Sequence, residues 1–435
     1  MRKLYRNARL QDVDALQDIL VEDGKFAGIA PHIETEGAEV IDLAGRLTLP
    51  PYVEPHIHLD CVYTGLQDGA ANRSMTLFEG IKNWSTVKAT VSVGEMKERA
   101  KRAIREEMSH GVQFIRTHVD VTNPKQTSLK ALLELREELK DLVTIQIVAF
   151  PQEGIYSFPN GAALLEEALR MGADCVGAIP HYELAREFGE KSLHKVVELA
   201  QKYDKLIDAH CDETDDDQSR FLELLTALTY QAGIGDRTTA SHTCSFGSAN
   251  GAYAFRLMKT LVKAKLSFVS CPTENISLEG RQDSYPKRRG LTRVKELHDA
   301  GINVCFAQDS IADPWYPLGN GNLMNILDHG IHICQMMSFA EIDHAFDLIT
   351  VNSARALHIL DQYGIEEGKP ANFIVLDADS PFEAIRQRAD VLRSVHGGEE
   401  LFVREPARIE TDIPLLRADA SSTTDKNYKI ITDKA

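Results

Sequence analysis

Histidines and acids recur in this sequence at the ends of short apolar runs, and their types and spacing suit a metal site that activates water. His56 and His58 lie one residue apart in PPYVEPHIHLD, residues 50–60. In an extended strand, residues two apart face the same way, so both imidazoles leave one face at one strand end. Neutral imidazole binds zinc and similar divalent ions. Two ligands are too few for a tight site, and the chain offers more in the same setting. His210 ends the run IDAHCDE, His242 ends ASHTC, and Asp309 ends CFAQDS. Read alone, each has an ordinary structural explanation, as a hydrogen-bonded strand-end histidine or an aspartate capping the next helix. Their joint occurrence at comparable places favours a divalent ion that brings the pKa of its water towards about 7.

The elements that must hold these residues are legible as alternation. Eight apolar runs, at 52–58, 114–120, 144–154, 175–181, 206–213, 238–244, 266–272 and 302–310, are separated by stretches of helical periodicity. Eight such repeats within residues 51–352 predict a (β/α)8 TIM-type barrel, in which all strand C-termini converge on one face. An open doubly wound sheet is the competitor, but HIHLDCVYTG after the first run is not a glycine-rich phosphate turn. Residues 1–50 read as short antiparallel strands, and residues 353–415 return to β-like text in KPANFIVLDAD and RSVHGGEELFVREP. Together they predict a small β-sandwich domain built from both chain ends, followed by a polar tail at 416–435.

Composition narrows the partners. A net charge of −17 argues against binding nucleic acid, whose phosphates require a basic surface. Seven scattered cysteines without a CxxC pair suit a reducing compartment. MRKLYRNARLQDVD lacks the apolar centre of a signal peptide, and no apolar run reaches membrane-spanning length, so a cytoplasmic protein without a membrane partner is expected.

At the level of motifs the chain resembles the amidohydrolase superfamily and, within it, the bacterial cytosine deaminase group. The likeness is carried by PPYVEPHIHLD, TLFEGI, FPQEGI, DAHCDE, ASHT, YPKRRGLTRVKELHDAGINVCFAQDS and DPWYPLG. The resemblance implies a single divalent metal, zinc or iron, held by His56, His58, His210 and Asp309. It implies a proton-shuttling role for Glu213, an orienting or polarising role for His242, and a substrate-amide contact for Gln152. Asp309 would also hold the attack direction. The residue types agree: an amide carries both a donor and an acceptor to match the N–C=O edge of a pyrimidine. Trp315, just beyond Asp309, would wall a flat heterocycle. His118 and His181, at the ends of the second and fourth runs, are open between pocket and structural roles.

One departure bears on substrate. Where the cytosine deaminase pattern has His-Asp-Asp, this chain has Gln308-Asp309-Ser310. The ligand survives, but the second aspartate has become a smaller, neutral serine. The expectation is a roomier wall that admits 5-methylcytosine beside cytosine, giving thymine or uracil plus ammonia. Isoguanine, creatinine-like and triazine rings are the alternatives. A binuclear cyclic-amide hydrolase is disfavoured, because the fourth run ends AIPHYEL with no lysine to bridge two metals. The long DPWYPLGNGNLMNILDHGIHICQMM segment offers either a self-association surface for a homo-oligomer or the barrel's eighth helix.

Overall fold

The computed structural model of the chain describes residues 2–67 and 69–407; the expected tail at 416–435 and the last part of the small domain lie outside the described residues. Eight parallel strands form the barrel in chain order: Tyr52–Ile57, Val112–Asp120, Thr144–Phe150, Cys175–Ala178, Leu206–Cys211, Thr238–His242, Ser267–Ser270 and Val304–Phe306. They are called strands one to eight below. Strand two is buried along its whole length, as are strands one, four, six, seven and eight. Burial on both faces is why these segments read as continuous apolar runs rather than as alternation.

The barrel closes where the chemistry was expected. Asp309 N donates to His56 O at 2.9 Å, and His58 N donates to Asp309 O at 3.1 Å. These bonds join strand one to the end of strand eight, so the seam runs through three of the four candidate ligands. Helices cover the outside with one apolar stripe each. Val93–Ser109 begins at Ser92, whose hydroxyl accepts from Glu95 N, and buries Met96, Ala100, Ala103 and Ile104 at helical spacing. The segment after strand eight forms helix Leu323–Ile333, whose Leu323, Met324, Ile326, Leu327 and Ile331 are buried within the chain. Its apolar face is therefore spent on the barrel as the eighth helix.

Strands from both ends of the chain build the second sheet. Leu47–Leu49 bridges them, pairing in parallel with Arg2–Leu10 and antiparallel with Phe373–Leu376. Glu39–Asp42 also runs parallel to the first strand, where a purely antiparallel unit was expected. The sheet folds over on itself: Phe26 on its far strand and Tyr5 both meet the Phe373 ring, at 6.2 and 4.9 Å between centroids. Burying those faces against each other gives the small domain its own core, as a sandwich does. No helix among the described residues is long and apolar enough to cross a membrane.

Candidate active site

The strands end earlier than the apolar runs suggested, and the shortfall is functional. Gln152, Glu213, Asp309 and Ser310 all lie just beyond the last residue of strands three, five and eight, on the turns at the barrel mouth. His56, His210 and His242 are still within their strands, and His58 is one residue past strand one. Their rings crowd one another: His56 lies 4.5 Å from His210 and 4.8 Å from His242, centroid to centroid. His58 Nε2 and His210 Nε2 are 3.0 Å apart. Asp309 Oδ1 lies 3.6 Å from His56 Nε2 and 3.5 Å from His58 Nε2.

These spacings fit one divalent ion. Ligands bonded at about 2.0–2.2 Å and separated by 90–120° stand roughly 3.0–3.6 Å from each other. The donor set is also short of protein partners. His56 Nε2 is buried and makes no hydrogen bond among the described residues. Its other nitrogen, Nδ1, is 3.0 Å from Ser241 Oγ, which in turn donates to Asp208 Oδ1 at 2.7 Å. With the serine proton committed to Asp208, Nδ1 must carry the imidazole proton, which leaves the Nε2 lone pair facing inward. Burial pushes the imidazoles down, His58 to about 4 and His242 to about 3. They are therefore neutral at ordinary pH. Other donors crowd the same point: His118 with His56 and His210, and Cys271 with His56, His242 and Asp309, each group within 4.8 Å.

Glu213 faces the same point. Its Oε1 accepts from Asn275 Nδ2 at 3.2 Å and lies 3.4 Å from His242 Nδ1. Burial, with the Asp309 carboxylate adding to it, holds the Glu213 carboxyl well above the usual range. Several of these residues sit on strained backbone. Asp309, His242 and Asp212 have φ of 69°, 65° and 55°, a region that side-chain-bearing residues rarely adopt. Asp212 is held there by accepting from Phe221 N and Leu222 N at 3.1 and 2.8 Å, and this aims the next residue, Glu213, at the mouth.

The remaining wall comes from three further segments. Gln152, Leu77, Leu278, Ser310 and Trp315 line the cavity with Glu213. It is narrow, about 20 Å³, space for one water. Trp315 Nε1 donates to Leu77 O at 3.2 Å, and a Cβ on Gly80 would stand 2.2 Å from that same nitrogen. Glycine at 80 thus lets the helix Leu77–Lys88 seat against the tryptophan. Gln308, which had no role from sequence, pins this loop. Its Nε2 donates to Ser310 O at 3.1 Å and its Oε1 accepts from Gly321 N at 3.1 Å.

Sequence reading expected Ser310 to leave a smaller, neutral wall, and the structure adds a carboxyl beside it. Glu274, in the helix Pro272–Leu278 after strand seven, also lines the cavity, and the Ser310 side chain stands beside both it and Asp313. The carboxyl missing from strand eight is thus replaced by one from the neighbouring strand's helix, and burial, with Asp309, Asp313 and Glu213 adding to it, holds that carboxyl well above the usual range. Glu274 and Asn275 were missed because CPTENIS carries no histidine or familiar spacing; its position after a barrel strand was the available signal. Ser241 and Asp208 were missed because they act through His56. His118 lies 3.9 Å from the His56 ring with its Nε2 3.7 Å from Asp208 Oδ2, beneath the mouth; His181 is largely buried without a hydrogen bond on either ring nitrogen among the described residues.

A barrel with histidines and an acid gathered at its C-terminal face defines a class, and the chain belongs to the amidohydrolase family, which matches residues 39–402. Among solved structures it is similar to 5-methylcytosine deaminase from Klebsiella pneumoniae in complex with 5-fluorocytosine. The two share 50% identity, with a TM-score of 0.91, over 94% of this chain and 99% of that one. It is also 30% identical to N-isopropylammelide isopropyl amidohydrolase from Pseudomonas sp. (strain ADP), over 91% of this chain and 96% of that protein. A pterin deaminase from Rhizobium rhizogenes is 27% identical over 83% of this chain and 82% of that protein.

Proposed function

We propose that the protein is a metal-dependent aminohydrolase that converts a free pyrimidine base, cytosine or 5-methylcytosine, to uracil or thymine plus ammonia. The observation that carries this is the convergence of His56, His58, His210 and Asp309 at ligand spacing beside Glu213 and Gln152. The half-identity to a 5-methylcytosine deaminase over nearly the whole of both chains supports the substrate class. A divalent ion held by these four residues would supply Lewis acidity that lowers the pKa of water towards about 7. Zinc and iron(II) both accept this donor set.

The chain's own residues perform the proton work. Glu213 takes a proton from the attacking water and passes it to the ring nitrogen beside the amino-bearing carbon, which makes that carbon electrophilic. Water oxygen bonds to that carbon. The proton left on that oxygen then passes through Glu213 to the amino group, the C–N bond breaks to release ammonia, and a carbonyl remains beside the protonated ring nitrogen. The raised carboxyl of Glu213 suits this traffic, since its affinity for a proton approaches that of the groups it serves. His242 and Asp309 orient the water, Gln152 pairs with the N–C=O edge, and Trp315 faces the ring.

The test is ammonia release by metal-loaded protein with cytosine and 5-methylcytosine in parallel. Turnover of either ring supports the assignment, and a preference of ten-fold or more for 5-methylcytosine, about 1.4 kcal/mol, supports the altered wall at Ser310. Glu213→Gln is expected to lower kcat by about 10²–10⁴-fold while metal content is retained. No ammonia from either ring would overturn the reading.

A further inference from the structure

Glu274 takes no part in the chemistry above, yet it lines the cavity and is only 2% exposed. It lies in the short helix Pro272–Leu278 that leaves strand seven. The Ser310 side chain stands beside its carboxyl and that of Asp313. Its second oxygen, Oε2, is buried and has no hydrogen-bond partner among the described residues. Buried polar atoms are almost always paired, and leaving one unpaired is costly, so a bound molecule that brings a donor to Oε2 gains what the free protein lacks.

The surroundings say what that molecule brings. Burial, with the neighbouring acids Asp309, Asp313 and Glu213 adding to it, holds the Glu274 carboxyl well above the usual range, which suits a neutral partner. A neutral group carrying an N–H or O–H complements the site. A methyl group would fill the same space and leave Oε2 unpaired, whereas a hydroxymethyl group reaches it with an O–H.

We infer that Glu274, paired with Ser310, is a specificity-determining residue that reads a hydrogen-bond-donating substituent on the ring, and that a 5-hydroxymethylated pyrimidine is a better substrate than its 5-methyl counterpart. The inference rests on the pyrimidine-deaminase reading, which turns the 5-position towards Ser310. The reaction itself is unchanged: the same C–N bond is broken, and the hydroxymethyl group is carried through intact.

The experiment measures kcat/KM for cytosine, 5-methylcytosine and 5-hydroxymethylcytosine with the metal-loaded wild type, E274Q and E274L, each variant first checked for a native melting transition. The wild type is expected to favour the hydroxymethyl ring over the methyl ring by about ten-fold, the scale set by one buried hydrogen bond. E274Q keeps an acceptor oxygen and should hold most of that preference. E274L should reverse it, losing the hydroxymethyl ring and gaining the methyl one. Wild-type turnover of cytosine or 5-methylcytosine with no preference for the hydroxymethyl ring would overturn the role of Glu274 and leave the deaminase reading intact. An E274L preference equal to wild type would do the same. Should E274L not fold, the wild-type and E274Q ratios decide. Ammonia from none of the three rings would instead sink the deaminase reading, and this inference with it.

Discussion

The proton on His56 is settled by a serine. Because Ser241 spends its hydroxyl proton on Asp208, it can only accept from His56 Nδ1, and the inward nitrogen is left as a lone pair. Such outer partners usually govern ligand basicity and orientation more than the chemical step. Ser241→Ala is therefore expected to weaken metal binding by about 10–100-fold, read by competition with a chelator of known affinity. Turnover at saturating metal should fall far less. An unchanged metal affinity would show that His56 is oriented by its packing alone. None of this was legible in ASHTC, where the eye goes to His242. A residue that works through another leaves no spacing of its own.

At the scale of elements, the site is assembled by turns that are tied to one another. Gln308 fastens the strand-eight loop to itself, and Trp315 fastens that loop to the start of helix Leu77–Lys88. Glu279, past strand seven, shares a hydrogen bond with Asp215, past strand five. Burial, and then Asp215, push the Glu279 carboxyl up to about 9. In the unfolded chain the same group titrates near 4.3. The folded state thus binds the extra proton, so the contribution is complete at low pH, declines as pH rises above the unfolded value, and is lost by about 9. Melting temperature should fall across that window more steeply in the wild type than in Glu279→Gln, which needs no proton. Parallel slopes for the two proteins would show that the pair is not coupled to folding. The acid run DETDDD signals surface in the sequence, and only the approach of two loops turns Asp215 inward.

For the whole molecule, one buried cation joins the two ends of the barrel. Arg116, fully buried, donates to Asp208 Oδ2 at 2.9 Å, to Gln146 Oε1 at 2.6 Å and to Ala356 O at 2.7 Å. Through Asp208 it reaches Ser241 and His56; through Ala356 it reaches the helix Val351–Ala356 that closes the other end. Removing one partner of a buried pair leaves a charge without compensation. Asp208→Ala is expected to cost about 3–5 kcal/mol in denaturant unfolding, and replacing both Arg116 and Asp208 with apolar residues should recover much of the loss. A small cost for the single change would mean that water reaches the arginine.

The architecture and half of the site were legible because they depend on periodicity and on residue type. Eight apolar runs between helical stretches suit a barrel whose strands are buried on both faces, and a strand-end histidine keeps its position whatever surrounds it. Asp309 was found because it follows such a strand directly, and Gln152 and Glu213 through the resemblance carried by FPQEGI and DAHCDE. What the tertiary structure decided are relations between segments that share no sequence pattern. Glu274 meets Ser310 across two neighbouring loops, Asn275 stands between Glu213 and His242, and Ser241 passes the demand of Asp208 to His56. Those contacts are set by strand register and loop approach over tens to hundreds of residues, so residue type could nominate the participants but only the folded barrel could pair them.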